Sequence, residues 1–192
     1  ETPLWNAGEK VAGMDEVGRG PLAGPVVVGC VVMPPEPLLP YVNDSKKLSE
    51  KKREKLYTEI IENAIAYGIA EASPLEIDEI NILNASQLAM RRAVEKLKVK
   101  ADFALIDGNC SRGFQIPTET VVKGDSKSYS IAAASILAKV TRDRGCIELD
   151  RLYPEYGIAK HKGYPTKDHM QAVRDFGPSE IHRKSFLGFL EK

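Results

Sequence analysis

Apolar residues recur along this chain in two periods that alternate. Val11 to Glu16 predicts a short strand closing at Gly18, and Pro25 to Met33 is an unbroken apolar run rich in valine. Such a run predicts a strand covered on both faces. A proline-rich connection follows, with Pro34, Pro35, Pro37 and Pro40. From Ser49 the period changes, and Leu56, Tyr57, Ile60, Ile61, Ala64 and Ile65 form one stripe at helical spacing. Tyr67 to Ala72 predicts another strand. Ser73-Pro74-Leu75-Glu76 is a helix start: Ser73 can cap, Pro74 sits where a missing N–H does no harm, and Glu76 completes a capping box. The helical pattern runs to about Leu97, with a break near Asn81 to Asn84. Phe103 to Asp107 and Thr118 to Val122 predict two further strands. Ser130 to Leu152 predicts a long helix, whose Ala132, Ala133, Ala134 and Ala138 permit close packing, and Tyr153-Pro154 ends it. Residues 155–192 carry short helical patterns broken by Gly163, Pro165, Gly177, Pro178 and Gly188.

Two adjacent strands followed by alternating helices and strands predict an α/β fold, with a mixed central sheet flanked by helices. Residues 1–154 are expected to form one domain, with 155–192 as a helical C-terminal extension packed on it. A chain of 192 residues, 43% of them apolar, suits that single core. No apolar run approaches the roughly 18–20 residues of a membrane span, and Glu1-Thr2-Pro3-Leu4-Trp5 does not read as a secretion leader. Cys30, Cys110 and Cys146 lack the spacing of a zinc site or a disulfide framework, which predicts a reducing, cytoplasmic setting.

The 27 basic and 27 acidic residues cancel, so net charge alone does not favour nucleic acid. Distribution matters more. Lys46-Lys47, Lys51-Lys52-Arg53, Arg142 to Arg144, Lys160 to Lys162 and Arg183-Lys184 each read as a solvated face. Several on one side would make a phosphate track.

Acidic residues share one peculiarity. Asp15-Glu16, Asp107 and Asp125 all lie at predicted strand ends, close to glycine. Strand ends are where α/β sheets gather functional groups. Converging carboxylates repel one another, and a divalent cation removes the repulsion. Oxygen ligands with no His or Cys nearby point to a hard ion, Mg²⁺ or Mn²⁺. Taken singly, each aspartate reads as a turn residue. Neighbours on a regular strand face opposite sides, so Asp15 and Glu16 meet one ion only if the strand bends near Gly18. Otherwise Glu16 offers its carbonyl or binds a second ion.

Gly18-Arg19-Gly20-Pro21-Leu22-Ala23-Gly24 is neither a Walker loop nor a dinucleotide fingerprint. Its glycines allow backbone groups to touch a ligand directly, and Arg19 can meet a phosphate. Lys46, Lys47 and Ser126 are further candidate phosphate contacts. His161, His169 and His182 read as surface or phosphate-contacting residues, and Trp5 as packing. Ser135 and Thr141 sit in a helix with no base beside them, which argues against a serine nucleophile.

The stretch Gly13 to Val26 (GMDEVGRGPLAGPV) resembles the opening motif of ribonuclease HII. Asn43 to Leu48 (NDSKKL), Leu105 to Asn109 (LIDGN), Val122 to Asp125 (VKGD), Ser130 to Asp143 (SIAAASILAKVTRD) and His161 to Tyr164 (HKGY) resemble further motifs of that family, in the same order. The resemblance spans nearly the whole chain. It implies a ribonuclease H-like fold with a helical C-terminal extension. It implies Asp15, Glu16, Asp107 and Asp125 as the catalytic, metal-holding carboxylates, with Mg²⁺ or Mn²⁺ and two ions during catalysis. It implies that Gly18, Arg19 and Gly20 read a ribose 2′-hydroxyl, and that Tyr164 packs on the sugar next to the cut. These roles are chemically reasonable: backbone groups can both donate to and accept from a 2′-hydroxyl, and paired ions about 3.5–4 Å apart can activate water and stabilise the leaving oxygen. The implied substrates are an RNA–DNA hybrid, or duplex DNA cut 5′ of an embedded ribonucleotide, leaving 5′-phosphate and 3′-hydroxyl ends. The implied work is removal of ribonucleotides and RNA primers, and the chain is separately expected to be a monomer. The competing readings are another metal nuclease on the same fold, a binding module with a dead site, and a structural α/β protein.

Overall fold

A computed structural model describes residues 1–43 and 45–191. Asp44, part of the Asn43 to Leu48 motif, lies outside the described residues. The five predicted strands form one sheet: β1 (Val11–Val17), β2 (Val26–Val32), β3 (Ala66–Ala72), β4 (Phe103–Asp107) and β5 (Thr118–Val121), in the order β3-β2-β1-β4-β5. β2 runs antiparallel to both β1 and β3, while β4 lies parallel to both β1 and β5. Six helices accompany them among the described residues: α1 (Thr2–Asn6), α2 (Glu50–Asn63), α3 (Pro74–Glu95), α4 (Tyr129–Leu152), α5 (Ile158–His161) and α6 (Lys167–Phe176).

All seven residues of β2 are buried, as its unbroken apolar run predicts. Strand alternation sends Val26, Val28, Cys30 and Val32 into a core with Ile77, Ala89 and Met90 of α3. Val31 goes the other way, to Ala133, Leu137 and Val140 of α4 and to Leu56 and Ile60 of α2. The alanines of α4 lie almost on the sheet. A Cβ added to Gly13 would fall 2.1 Å from the Ser130 carbonyl carbon, and one added to Gly29 would fall 2.3 Å from the Ala134 oxygen. Glycine in the strands and alanine in the helix are two halves of one close contact.

The start of α3 carries the expected capping box, with Ser73 Oγ accepting from the Glu76 N–H and Glu76 Oε2 accepting from the Ser73 N–H. A box of this kind contributes about 1 kcal/mol. The break falls at Asn81, where φ is 65°, and Asn81 Oδ1 caps the continuation by accepting from the Asn84 N–H at 3.1 Å.

Beyond α4 the chain folds back. Tyr156, Ile158, Val173, Ile181 and Leu187 share a buried cluster with Leu22, Ala23 and Cys146. Backbone bonds complete the junction: Leu22 N–H to the Gly163 carbonyl at 2.8 Å, Gly24 N–H to that of Ile181 at 2.9 Å, and Arg183 N–H to that of Leu22 at 2.8 Å. The C-terminal segment therefore rests on the glycine-rich loop. Among the described residues no helix is long and apolar enough to cross a membrane.

Candidate active site

The sheet brings Asp15 and Asp107 to one end. β1 and β4 are parallel with Met14 opposite Ile106, so the next residues, Asp15 and Asp107, leave the ladder side by side. Val11 and Leu105 lie in one cluster with Ile131 of α4, and alternation places Asp15 and Asp107 on that same face. Asp107 is anchored there, its Oδ1 accepting from the Gly124 N–H at 2.6 Å. Gly124 opens a single helical turn, Gly124–Ser126, entered through the left-handed Lys123 at φ 57°. That turn delivers a buried Asp125 to the same place.

Glu16 does not lie with these three on the α4 face of the sheet. Pairing with β2 continues one-to-one through Glu16 opposite Val28 and Val17 opposite Val27, so β1 carries no bulge before Gly18. Glu16 therefore leaves from the other face of the strand. It still reaches the cluster's edge, where Asp107 acts on its charge. Glu16 Oε1 accepts from Arg19 Nη1 at 3.2 Å, while the buried Oε2 has no hydrogen-bond partner among the described residues.

Burial pushes the Asp15 carboxyl well above its ordinary range, and the charges of Glu16, Asp107 and Asp125 push the same way, against one hydrogen bond from the Glu16 N–H. Glu16 is raised too, by burial first, with Arg19 opposing. These groups repel each other in a poorly solvated place. The charge and the orphaned oxygen suit a hard divalent ion with oxygen ligands. The carboxylates converge without closing, however. Among the described residues no three Asp, Glu, His or Cys side chains stand together as a finished ion cage.

Lys46 approaches from the facing loop, its Nζ 3.8 Å from Asp125 Oδ2. Its neighbour Ser45 is pinned by a hydrogen bond from its N–H to Ser135 Oγ, and Arg53 Nη1 donates to the Ser45 carbonyl. Lys47 is exposed in the same turn. Ser126 is exposed beside Asp125, its hydroxyl donating to the Lys123 carbonyl.

The glycine-rich loop borders the carboxylates, and the ring of Tyr164 lies against it, 3.6 Å from where a Cβ on Gly20 would stand. Two arginines that the sequence suggests are solvated prove to be interior. Arg142 and Arg183 are 2% and 0% exposed. Arg142 donates to the carbonyls of Ala23, Pro25 and Lys162, and Arg183 to those of Gly18, Arg19 and Gly24. A signal for Arg142 existed: it continues the buried α4 stripe Ala134, Ala138, Cys146 at four-residue spacing. Arg183 has no such periodic signal.

The histidine reading is also corrected. His169 and His182 are buried, and His161 stacks on His169 with ring centroids 4.3 Å apart. They build a column beneath Tyr164. Ser179 N–H donates to His182 Nδ1, His182 Nε2 meets His169 Nε2 at 3.2 Å, and His169 Nδ1 bonds the Tyr164 carbonyl at 3.0 Å. Gly163 N–H donates to His161 Nδ1. Trp5, as expected, packs, joining Val11, Leu105 and Ile131.

Comparison with known proteins agrees with this fold. The family model described as Ribonuclease HII matches residues 12–188. A ribonuclease HII of Desulfitobacterium hafniense is 56% identical over 187 residues, covering 97% of this chain and 72% of that one. The crystal structure of ribonuclease H2 from Pyrococcus horikoshii superposes with a TM-score of 0.77 at 30% identity, covering 94% of this chain and 96% of that one. A structure of Bst-RNase HIII in complex with Mn²⁺ shares the fold at 19% identity, with a TM-score of 0.71, covering 92% of this chain and 66% of that one. With carboxylates gathered at the ends of a mixed sheet and the family's motifs in order along it, this chain belongs to the ribonuclease HII family of endoribonucleases.

Proposed function

We propose that the protein is a divalent-metal-dependent endonuclease that cuts the RNA strand of RNA–DNA hybrids, and cuts duplex DNA on the 5′ side of an embedded ribonucleotide. The observation that carries this reading is the group of Asp15, Glu16, Asp107 and Asp125 at one end of the sheet, with a buried, unpartnered Glu16 oxygen. In this reading the four carboxylates hold Mg²⁺ or Mn²⁺ ions, which supply an activated water and neutralise charge on the leaving oxygen. The products are a 5′-phosphate and a 3′-hydroxyl.

The protein's own groups do the selecting. The loop from Gly18 to Gly20 reads the 2′-hydroxyl through its backbone, because telling RNA from DNA requires contact with that group. Tyr164, 43% exposed beside Gly20, presses on the neighbouring sugar and disfavours a second 2′-hydroxyl there. Arg19, Lys46, Lys47 and Ser126 meet phosphates. Residues 155–192 serve as an extension that holds the loop and Tyr164 in register. The protein works as a monomer, and its three free cysteines suit a reducing cytoplasm. Removal of misincorporated ribonucleotides and RNA primers follows from this specificity.

One gel tests the reading: a duplex with a single internal ribonucleotide and its all-DNA twin, with and without Mn²⁺ or Mg²⁺, wild type beside Asp125→Asn. Ion-dependent cutting of the first duplex alone, lost in the variant, is the expected result. Equal cutting of both duplexes would reassign the protein to general duplex cleavage.

A further inference from the structure

Arg183 is a fully buried cation whose guanidinium is bonded to main-chain oxygens instead of a carboxylate. Nη2 donates to the Gly18 carbonyl at 2.6 Å and to the Gly24 carbonyl at 2.8 Å, Nη1 to the Arg19 carbonyl at 2.9 Å, and Nε again to Gly24 at 2.9 Å. The ring of Phe186 lies over the group, 5.2 Å from centroid to Cζ. Asp78, the acidic group acting on it, is already engaged by the Lys184 and Ser185 N–H groups and the Ser185 hydroxyl. Taking a charge out of water is expensive, so a buried arginine bonded only to carbonyls needs a reason.

The loop supplies one. In a planar trans peptide the C=O and the following N–H point in opposite directions. Drawing the Gly18 and Arg19 carbonyls onto Arg183 therefore turns the Arg19 and Gly20 N–H groups away from it. Neither N–H has a hydrogen-bond partner among the described residues. Both belong to the stretch bordered by Tyr164 and Glu16. A buried positive charge at the oxygen ends of two aligned peptide dipoles makes their N–H ends stronger donors.

We propose that Arg183 is a positioning residue, setting the successive N–H groups of Arg19 and Gly20 as a paired donor site for an oxygen of the ribonucleotide. This rests on the ribonucleotide-directed reading above and refines it. With the Gly18 and Arg19 carbonyls engaged by the guanidinium, this part of the loop acts mainly as donor, and the sugar or phosphate oxygen as acceptor. Selectivity for RNA then depends on a side chain 163 and 164 residues away in sequence from the groups that touch the substrate.

The test compares binding and single-turnover cutting of the one-ribonucleotide duplex and its all-DNA twin by wild type, R183K and R183A, with thermal melts alongside. Lysine keeps the charge but not the planar fork that reaches three carbonyls. We expect R183K to melt cooperatively and to lose about 10- to 100-fold of the ribonucleotide preference, with all-DNA binding unchanged. Guanidinium ion, and not ammonium, should restore part of the preference to R183A. A folded R183K with the wild-type preference overturns the proposal.

A measurement on the intact protein guards against variants that fail to fold. In EDTA, the amide ¹⁵N–H signals of Arg19 and Gly20 should shift with the ribonucleotide duplex more than with its twin, and equal or absent shifts also overturn the proposal. If wild type itself fails to distinguish the two duplexes in cutting, the ribonucleotide-directed reading fails. If wild type distinguishes them and R183K does so equally, only the role of Arg183 fails.

Discussion

The ring of Tyr164 stands against the bare backbone of Gly20, with 3.6 Å between Cε1 and the place a Cβ would take. That is ordinary contact distance, and Gly20 has no need of a positive φ. Gly20→Ala should therefore fold with stability within about 0.5 kcal/mol of wild type. It should still lose most cleavage, because a methyl group fills the space in which a ribose must reach the backbone. Gly18→Ala should behave differently. Gly18 has φ 96°, and its Cβ would fall 2.2 Å from Arg142 Nε, so a loss of about 2–4 kcal/mol is expected. Melts paired with cleavage assays check this, and equal instability in both variants would refute it.

Charge removal gives an opposite sign. Asp107→Asn keeps an oxygen that can accept from the Gly124 N–H while deleting one of the charges that crowd Asp15. Without divalent ions the variant should be more stable by about 1 kcal/mol, roughly 2–4 °C in Tm for a chain of this size. Cleavage should vanish. A lower metal-free Tm would show that the Asp107 charge is structurally needed.

The local part of this protein was legible and the long-range part was not. The places of Asp107 at the end of β4 and of Asp125 in the turn after β5 follow from strand patterns that stop at glycine, whereas β1 runs two residues past Asp15, and the α3 start follows from Ser73 and Glu76. Period-two alternation raised the question of which face Glu16 takes, and only the unbroken β1–β2 register answers it. Arg183 reads as surface charge because its partners are main-chain carbonyls, which have no sequence signature, whereas Arg142 is marked only by its place in the buried α4 stripe. His169 and His182 are 13 residues apart and joined through a tertiary fold that no helical or strand period encodes. What local pattern misses here is the C-terminal segment's hold on the glycine-rich loop.

That hold shapes the expectation for Tyr164. The turn bearing it is fixed through its backbone, by the Tyr164 carbonyl on His169 and the Gly163 N–H on His161. The residue is 43% exposed and belongs to none of the buried clusters. Tyr164→Ala should leave Tm and duplex affinity close to wild type while slowing single-turnover cutting by roughly 100-fold, the scale of a misplaced reacting group. Tyr164→Phe, which keeps the ring surface, should retain most of the rate. Unchanged kinetics in the alanine variant would remove the ring from the site.

Acid should loosen the same turn. Ser179 N–H donates to His182 Nδ1, so a neutral His182 carries its proton on Nε2 and donates to His169 Nε2, and His169 Nδ1–H donates to the Tyr164 carbonyl. A proton on either imidazole would set two N–H groups face to face. Burial, aided by the nearby His169, lowers His182 to about 4, and burial lowers His169 as well. A depressed folded pKa means that the unfolded chain binds the extra proton first. The stability this pair contributes is complete above the ordinary histidine value of about 6.5 and is lost as pH falls toward 4. The buried Asp15 and Glu16, whose pKa values are raised, act in the opposite direction, so the total slope is a difference. His182→Gln isolates the histidine part. Between pH 7 and pH 5 the wild type should lose on the order of 1–2 kcal/mol more than the variant does. Parallel melting curves for the two proteins across that range would mean that the column does not titrate.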